Sequence, residues 1–193
     1  MRINKKKFIY LISPNRIKKS FYNDLSKVLK LKKTSFFQLR LKNTPFKKKV
    51  AIGKKIKRIC KKYKTKFLIN DDVTLARRLN SDGCHLGQKD MDISKARKII
   101  KRKIIGVTCH NSIKLAKLAI KDKADYLAFG AFNYSSTKKT NYKANYKLLK
   151  KIKKLTKTPI VAVGGINSAN YKKLLLNKAN FLAISGYIWN NKK

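Results

Sequence analysis

The sequence of 193 residues contains no glutamate, so its eight acidic residues are all aspartates. Against them stand 51 Lys and Arg residues, of which eight are Arg, and the formal net charge is +43. Long apolar runs are also missing, since none approaches the ~18–20 residues that cross a bilayer, which argues against an integral membrane protein. The basic N-terminus imitates a secretory signal, but its apolar stretch is too short. We therefore expect a cytoplasmic protein.

Cysteine is scarce as well. Cys60, Cys84 and Cys109 are odd in number, widely spaced and without a CxxC pair, which argues against a disulfide framework and a structural zinc site. We expect them in the core or in the wall of a site, and a thiol nucleophile at Cys109 is disfavoured because only His110 could activate it. The hydrophobic fraction of 43% and the absence of internal linkers predict one folded domain over residues 1–193.

The positive charge does not by itself indicate a nucleic-acid-binding protein. Lysines occur in nearly every segment, including the backs of predicted helices (Lys54, Lys55, Lys57, Lys61 and Lys62), whereas Arg is scarce. No RNP-like aromatic pattern or zinc finger is present. The pattern favours solvated helix faces, and nucleic acid is an unexpected partner. The aspartates are less evenly spread, because Asp71, Asp72, Asp82, Asp90 and Asp92 fall within one short stretch.

Eight strand-like apolar runs alternate with segments of helical periodicity. The runs are Phe8–Ile12, Ser35–Arg40, Phe67–Asn70, Gly83–Gly87, Ile104–Cys109, Tyr126–Gly130, Ile160–Gly165 and Phe181–Ser185. Such continuous apolar runs are typical of parallel strands that are buried on both faces. The order predicts an α/β fold, a (β/α)₈ TIM barrel with a truncated eighth helix, since few residues follow the last strand. Ser112 and Ser168 are predicted helix N-caps.

In such barrels the functional groups lie at the carboxyl ends of the strands. Alternation places Gln38, Arg40 and Lys42 on one side of the second strand, where an amide and two cations suit a polyphosphate. Asp71 and Asp90 end neighbouring strands and predict a Mg²⁺ site. Asp72 is expected to cap the next helix instead.

Small residues end the last strands. Gly164–Gly165 and Ser185–Gly186 follow strands seven and eight, and Ser135 to Lys139 follow strand six. These loops are the usual phosphate site of this fold, where backbone N–H groups and hydroxyls act as donors. For the two histidines, His85 and His110, the sequence leaves structural and site roles equally open.

Taken together, these motifs resemble the thiamine phosphate synthase family. The matching segments are QLRLK at 38–42, FLINDD at 67–72, SDGCHLGQKD at 81–90, IIGVTCH at 104–110, ADYLAFG at 124–130, STKK at 136–139, PIVAVGGI at 159–166 and AISG at 183–186. They follow the order and spacing of the family over most of the chain.

The resemblance implies an enzyme, a Mg²⁺-dependent transferase of a non-methyl alkyl group in thiamine biosynthesis. Hydroxymethylpyrimidine diphosphate and thiazole phosphate would give thiamine phosphate and pyrophosphate. Arg40, Lys138 and Thr108 would be catalytic, and Asp71 and Asp90 would bind Mg²⁺. The substrate-binding set would be Gln38, Leu39, Arg40, Leu41, Lys42, Asn70, Thr108, Ser135, Ser136, Thr137, Lys138, Gly165, Ile184 and Ser185.

The chain departs from the family where Tyr134-Ser135 replaces a common Pro-Thr pair and where no Gly occurs near Asn145. Two alternatives stay open: the related thiazole tautomerase, in which a residue placed as His110 would transfer protons, and a non-catalytic polyanion-binding barrel. Retention of Arg40, Asp71 and Lys138 favours the synthase. Phosphorylated small molecules are the expected partners, and a homo-oligomer is compatible with the sequence.

Overall fold

The computed structural model describes residues 7–135 and 140–190, in which eight parallel strands form a closed barrel in chain order. The strands are β1 Ile9–Ile12, β2 Thr34–Leu39, β3 Lys66–Asn70, β4 Gly83–Leu86, β5 Ile104–His110, β6 Tyr126–Gly130, β7 Ile160–Val163 and β8 Phe181–Ile184. The helices are α1 Phe21–Lys30, α2 Phe46–Lys62, α3 Val73–Arg78, α4 Ile93–Ile100, α5 Ile113–Lys121, α6 Tyr146–Leu155, α7 Tyr171–Leu176 and α8 Gly186–Trp189.

This architecture confirms the predicted (β/α)₈ barrel. Strand β1 pairs with β8 as well as with β2, which closes the sheet. The last helix, α8, has only four residues, so the predicted truncation is confirmed. Within the described ranges, no helix is long and apolar enough to cross a membrane.

Alternation along each strand divides the buried side chains between two layers. One face packs against the helices and includes Leu11, Phe37 and Ile105. The opposite face fills the barrel interior with Tyr10, Phe36, Leu68, Tyr126, Ala128, Val161, Phe181 and Ala183. The strands therefore read as continuous apolar runs because both of their faces are covered.

Polar side chains cap several helices directly above the barrel. The side chain of Asp72 accepts a hydrogen bond from the Leu75 N–H at 2.8 Å, and Ser112 accepts one from Leu115 at 3.2 Å, which confirms both predicted caps. The prediction for Ser168 was wrong. Helix α7 begins at Tyr171 with Asn170 as its N-cap, because Asn170 and Asn167 hold the preceding turn through mutual side-chain bonds.

Candidate active site

The cationic segment after β2 lies beside the ends of β1 and β3. The buried Gln38 amide donates to Asn70 Oδ1 at 2.8 Å, which joins two predicted site residues across neighbouring strands. Arg40 Nη1 donates to Asn15 Oδ1 at 2.9 Å, and Lys42 Nζ lies 3.7 Å from Asp71 Oδ2. The structure thus gathers an amide pair and two cations at one rim of the barrel, as the alternation of the sequence predicted.

Two carboxylates share this rim. Asp71 follows β3 in the left-handed conformation with φ of 63°, while Asp90 accepts a hydrogen bond from the Gly87 N–H at 2.7 Å. Burial raises the pKa of Asp71 to about 6, and a hydrogen bond to Asp90 and repulsion from it act in the same direction. Lys42 and Arg40 oppose this rise in the pKa.

This donor set fits a hard divalent cation. Two adjacent carboxylates cost free energy when both are ionised, and a cation between them removes that cost. Among the described residues, no group of three or more His, Cys, Asp or Glu side chains could hold a metal ion. Asp71 and Asp90 could therefore hold Mg²⁺ only together with oxygen atoms from a substrate or water, which is the usual coordination of Mg²⁺ beside a phosphate.

Thr108 and His85 lie between the candidate site and the barrel interior. His85 Nε2 lies 2.8 Å from Thr108 Oγ1, and His85 Nδ1 lies 2.9 Å from the hydroxyl of Tyr126 in the barrel interior. The Gln88 side chain donates to the backbone carbonyl of Thr108. His85 is thus a hydrogen-bonded part of the candidate site, a role that the sequence left open.

The predicted phosphate loops meet on the opposite side. Gly164 and Gly165 have φ values of 104° and 56°, and a Cβ at Gly165 would overlap the carbonyl oxygen of Tyr134. Only glycine fits this close approach without strain. Ser185 Oγ donates to the Ser13 carbonyl at 3.3 Å, and Ser135 is partly buried. Ser136 and Thr137, predicted for this side, and Lys138, predicted for the diphosphate, lie outside the described residues.

Some predicted substrate-binding residues can contribute only backbone groups. Leu39, Leu41 and Ile184 are buried in the apolar layer between strands and helices, so their side chains face away from the barrel interior. The three cysteines are buried, as expected. Burial raises the pKa of the Cys109 thiol to about 12, so it is not a thiolate nucleophile at neutral pH.

Several residues outside the predicted substrate-binding set also shape the site. Asn15 and Ser13 come from the end of β1, and Ser13 Oγ accepts the Arg40 N–H at 2.9 Å. Tyr142 stacks on His110 with ring centroids 3.9 Å apart, and its carbonyl accepts the Ala131 N–H. Polar residues after the first strand were the one available signal, whereas nothing in the sequence pairs positions 110 and 142.

Near these contacts, Asn145 has a defined local role. Its side chain accepts a hydrogen bond from the Leu148 N–H at 3.0 Å and caps helix α6. Tyr134, the other departure from the family pattern, is 84% exposed. Neither residue blocks the groups at the rim, so these two departures are compatible with the site.

A closed parallel barrel that combines cations, amides and paired carboxylates at its carboxyl rim belongs to the class of (β/α)₈ barrels that bind phosphorylated small molecules. The sequence pattern of the thiamine monophosphate synthase family matches residues 9–188. The chain belongs to that family.

Individual relatives agree with this assignment. The chain is 69% identical to a thiamine-phosphate synthase of Pelagibacter ubique (strain HTCC1062), covering 100% of this chain and 95% of the relative. It is 37% identical to one of Erythrobacter litoralis (strain HTCC2594), covering 94% and 87%. A solved thiamine phosphate pyrophosphorylase from Pyrococcus furiosus superimposes with a TM-score of 0.84 at 31% identity, covering 95% and 87%.

Proposed function

We propose that this chain is a Mg²⁺-dependent thiamine phosphate synthase. It transfers the hydroxymethylpyrimidine group from its diphosphate to the nitrogen of thiazole phosphate, which gives thiamine phosphate and pyrophosphate. One observation carries the proposal: Gln38, Arg40, Asn70 and the Asp71–Asp90 pair lie together at one rim. A diphosphate with its magnesium ion needs that combination of cations, amides and carboxylates.

The chemical work of these residues is to stabilise charge on the leaving group. Arg40 and Lys42 bind the diphosphate oxygens while the bond between the pyrimidine methylene carbon and oxygen breaks. Asp71 and Asp90 would hold Mg²⁺, which supplies further neutralisation of the diphosphate. The substrate methylene cation is then captured by the thiazole nitrogen, so the protein needs no nucleophile, in agreement with the buried Cys109 thiol.

The second substrate would lie on the opposite side of the barrel mouth. Ser135, Gly165 and Ser185 offer hydroxyl and backbone donors for the thiazole phosphate, and the sequence adds Ser136 and Thr137 to this set, while Lys138 is expected to bind the diphosphate. The left-handed Gly164–Gly165 pair turns the backbone at the end of β7, where a phosphate can approach N–H groups closely. We place the reaction in the cytoplasm, with the two phosphorylated substrates as the partners.

The test is incubation of the purified protein with both substrates and Mg²⁺, with thiamine phosphate and pyrophosphate measured separately. We expect the two products in equal amounts, and their loss when EDTA removes the metal. Asp71→Ala should lose activity or need more Mg²⁺, whereas Asp72→Asn, a matched change of the neighbouring cap, should not. Absence of both products would contradict the synthase, and full turnover in EDTA would contradict the metal assignment.

The tautomerase alternative is tested with His110. In a synthase, His110→Ala should keep substantial activity, because bond formation proceeds by cation capture, whereas Lys138→Ala should lose most of it. In a tautomerase the order reverses, because His110 would transfer the proton and no diphosphate takes part. An inactive His110→Ala protein together with an active Lys138→Ala protein would contradict the synthase.

A further inference from the structure

A continuous chain of hydrogen bonds runs from the barrel interior to the candidate site. The hydroxyls of Tyr10 and Tyr126 are 2.7 Å apart, and the Tyr126 hydroxyl is 2.9 Å from His85 Nδ1. His85 Nε2 is in turn 2.8 Å from Thr108 Oγ1. The imidazole also stacks on the Tyr126 ring with an interplanar angle of 12°. Four side chains from β1, β4, β5 and β6 thus form one linear network that ends at the site.

Each tyrosine contributes one proton to this network. Both side chains are buried, and burial raises the pKa of each hydroxyl above its usual value of 10.0. Both therefore remain neutral at physiological pH. The Tyr126 hydroxyl has two partners and one proton, so it donates to one partner and accepts from the other.

Tyr10, at the end of the network in the barrel interior, determines which group donates in each hydrogen bond. Tyr10 packs on Phe36 in the apolar cluster that also contains Leu68 and Phe181, and Tyr126 is the one hydrogen-bond partner of its hydroxyl within the described ranges. If Tyr126 donated to Tyr10, the Tyr10 proton would be buried without an acceptor. If Tyr10 donates to Tyr126, every donor in the network finds an acceptor, which is the favoured arrangement for buried polar groups.

The donor–acceptor order at Tyr10 also determines the order of the remaining hydrogen bonds up to the site. Because Tyr126 accepts from Tyr10, it donates its own proton to His85 Nδ1, which must then be unprotonated. A neutral imidazole in this state carries its proton on Nε2 and donates it to Thr108 Oγ1. A doubly protonated imidazole would donate to Tyr126 and leave the Tyr10 proton without an acceptor. The Thr108 hydroxyl, having accepted from His85, keeps its own proton for a different partner.

We propose that Tyr10 and Tyr126 are positioning residues that hold His85 as the neutral Nε2–H tautomer, so that the Thr108 hydroxyl donates its proton to an oxygen of the bound diphosphate. The assignment of the diphosphate rests on the proposed function, whereas the tautomer of His85 does not. Only the Thr108 hydroxyl touches the substrate, and it supplies a hydrogen-bond donor already oriented where negative charge develops on the leaving group.

The tautomer is measured by ¹⁵N NMR of the imidazole nitrogens in the protein without substrate. The chain has only two histidines, so in a His110→Asn protein all imidazole ¹⁵N signals come from His85. Asn is suitable there because position 110 has a positive φ of 52°. We expect the proton on Nε2 and an unprotonated Nδ1. A proton on Nδ1, or on both nitrogens, in the folded protein would overturn the proposal.

Two phenylalanine substitutions distinguish orientation from simple packing, since each deletes one buried hydroxyl from the same network. In Tyr10→Phe, Tyr126 can still donate to Nδ1, so the Nε2–H tautomer should persist. In Tyr126→Phe, Nδ1 loses its donor and the preference for one tautomer should disappear. Turnover should fall roughly tenfold in Tyr126→Phe, with a smaller loss in Tyr10→Phe, as expected when a donor loses its fixed direction. Unchanged His85 signals and kcat in Tyr126→Phe would overturn the proposal.

Substitutions of Thr108 give a further experiment, in which binding of pyrophosphate with Mg²⁺ is measured. Thr108→Val should weaken pyrophosphate binding by roughly tenfold or more, while Thr108→Ser, which keeps the hydroxyl, should restore it. If Tyr126→Phe does not fold, the tautomer in the parent and Tyr10→Phe proteins decides the matter. An inactive parent protein with the Nε2–H tautomer would contradict the proposed function alone, whereas an active one with an Nδ1 proton would contradict this inference alone.

Discussion

At the scale of single residues, the candidate site contains arrangements that cost stability in the absence of a ligand. Asp71 adopts a left-handed backbone conformation, and burial together with the neighbouring Asp90 raises its pKa to about 6. Lys42 offsets only part of this repulsion, because both groups of that pair are partly exposed to water. Such a carboxylate pair is typical of a functional site, where binding rather than folding determines which residue is present.

Asp71→Asn should therefore stabilise the metal-free protein at neutral pH. The pKa of Asp71 is raised in the fold from 3.8 to about 6, so the ionised form destabilises the folded state. This cost is absent below the unfolded pKa, grows as the pH rises and is complete above the folded pKa. Because the side chain is partly exposed, we expect about 1 kcal/mol, or about 2–4 °C in Tm.

The measurement is thermal unfolding in EDTA at several pH values. The gain should shrink as the pH falls from 7 towards 4, because Asp71 becomes protonated in the parent protein. Asp72→Asn is the matched control, since Asn and Asp are comparable N-caps and the change removes the same charge one residue away. A lower Tm for Asp71→Asn at pH 7, or an equal gain in the control, would contradict the assignment of the repulsion to Asp71 and Asp90.

Arg40 gives a second prediction at this scale. Arg40→Ala should lower kcat/KM by tens- to hundreds-fold, because a lost charge-assisted contact to a leaving group costs about 2–4 kcal/mol in the transition state. Arg40→Lys should lose less, because it keeps the charge but not the planar fork. Both effects are measured per folded molecule beside a melting curve. If Arg40→Ala changes only the melting temperature, Arg40 does not bind the diphosphate.

At the scale of elements, the strands were more predictable than the contacts between them. Strand β6, Tyr126–Gly130, has the predicted bounds because an apolar run defines it from local sequence alone. The face of Gln38 on β2 was also predictable, since alternation fixes the face of each side chain. The bond between Tyr10 and Tyr126 was not, because it joins residues 116 positions apart inside the barrel.

Helix α7 shows a different limit of prediction. Asn167, Ser168 and Asn170 are all suitable caps, and the sequence does not rank them. Helix α7 begins after Asn170, whose side chain makes no capping hydrogen bond and instead donates from Nδ2 to the Gly165 carbonyl at 2.9 Å, which ties the turn to the end of β7. A tertiary contact of this kind decides between residues of equal local propensity.

The packing of β5 against β6 gives the prediction for this scale. A Cβ on Gly106 would overlap the Tyr126 ring at Cζ, Cε1 and Cε2, so the glycine makes room for the ring of its partner residue on the neighbouring strand. Gly106→Ala should destabilise the protein by about 1–3 kcal/mol, the usual cost of overpacking a core. Tyr126→Leu lacks these three ring atoms, so the double variant should lose less than the sum of the two single changes. Denaturant unfolding measures the four proteins, and strict additivity would contradict the overlap.

At the scale of the whole molecule, the short α8 links the last part of the chain to the first strand and the first helix of the barrel. Trp189 Nε1 donates to the Ile12 carbonyl at 2.6 Å, and the Trp189 ring packs 4.9 Å from the ring of Phe21 in α1. One helical turn therefore covers the junction of β8 and β1.

The net charge of +43 acts on the molecule as a whole. Exposed lysines such as Lys47, Lys48, Lys54 and Lys61 repel one another over distances that salt controls. Raising NaCl from 0.01 to 0.1 M shortens the Debye length from about 30 Å to about 10 Å. Because this screening weakens repulsion within the compact state, the melting temperature should rise by about 2–4 °C over that range.

The matched variant changes Lys47, Lys48, Lys54 and Lys61 on α2 to Gln, which has a similar helix propensity. It should melt at a higher temperature than the parent protein in 0.01 M NaCl and gain less from added salt, because part of the repulsion is already gone. The same variant should keep its affinity for pyrophosphate with Mg²⁺, since none of the four residues belongs to the set that we propose binds the diphosphate. A polyanion-binding barrel would behave differently, losing affinity for pyrophosphate with each lysine removed and needing no metal for binding. Equal salt dependence in the two proteins would show that self-repulsion does not limit the stability of this fold.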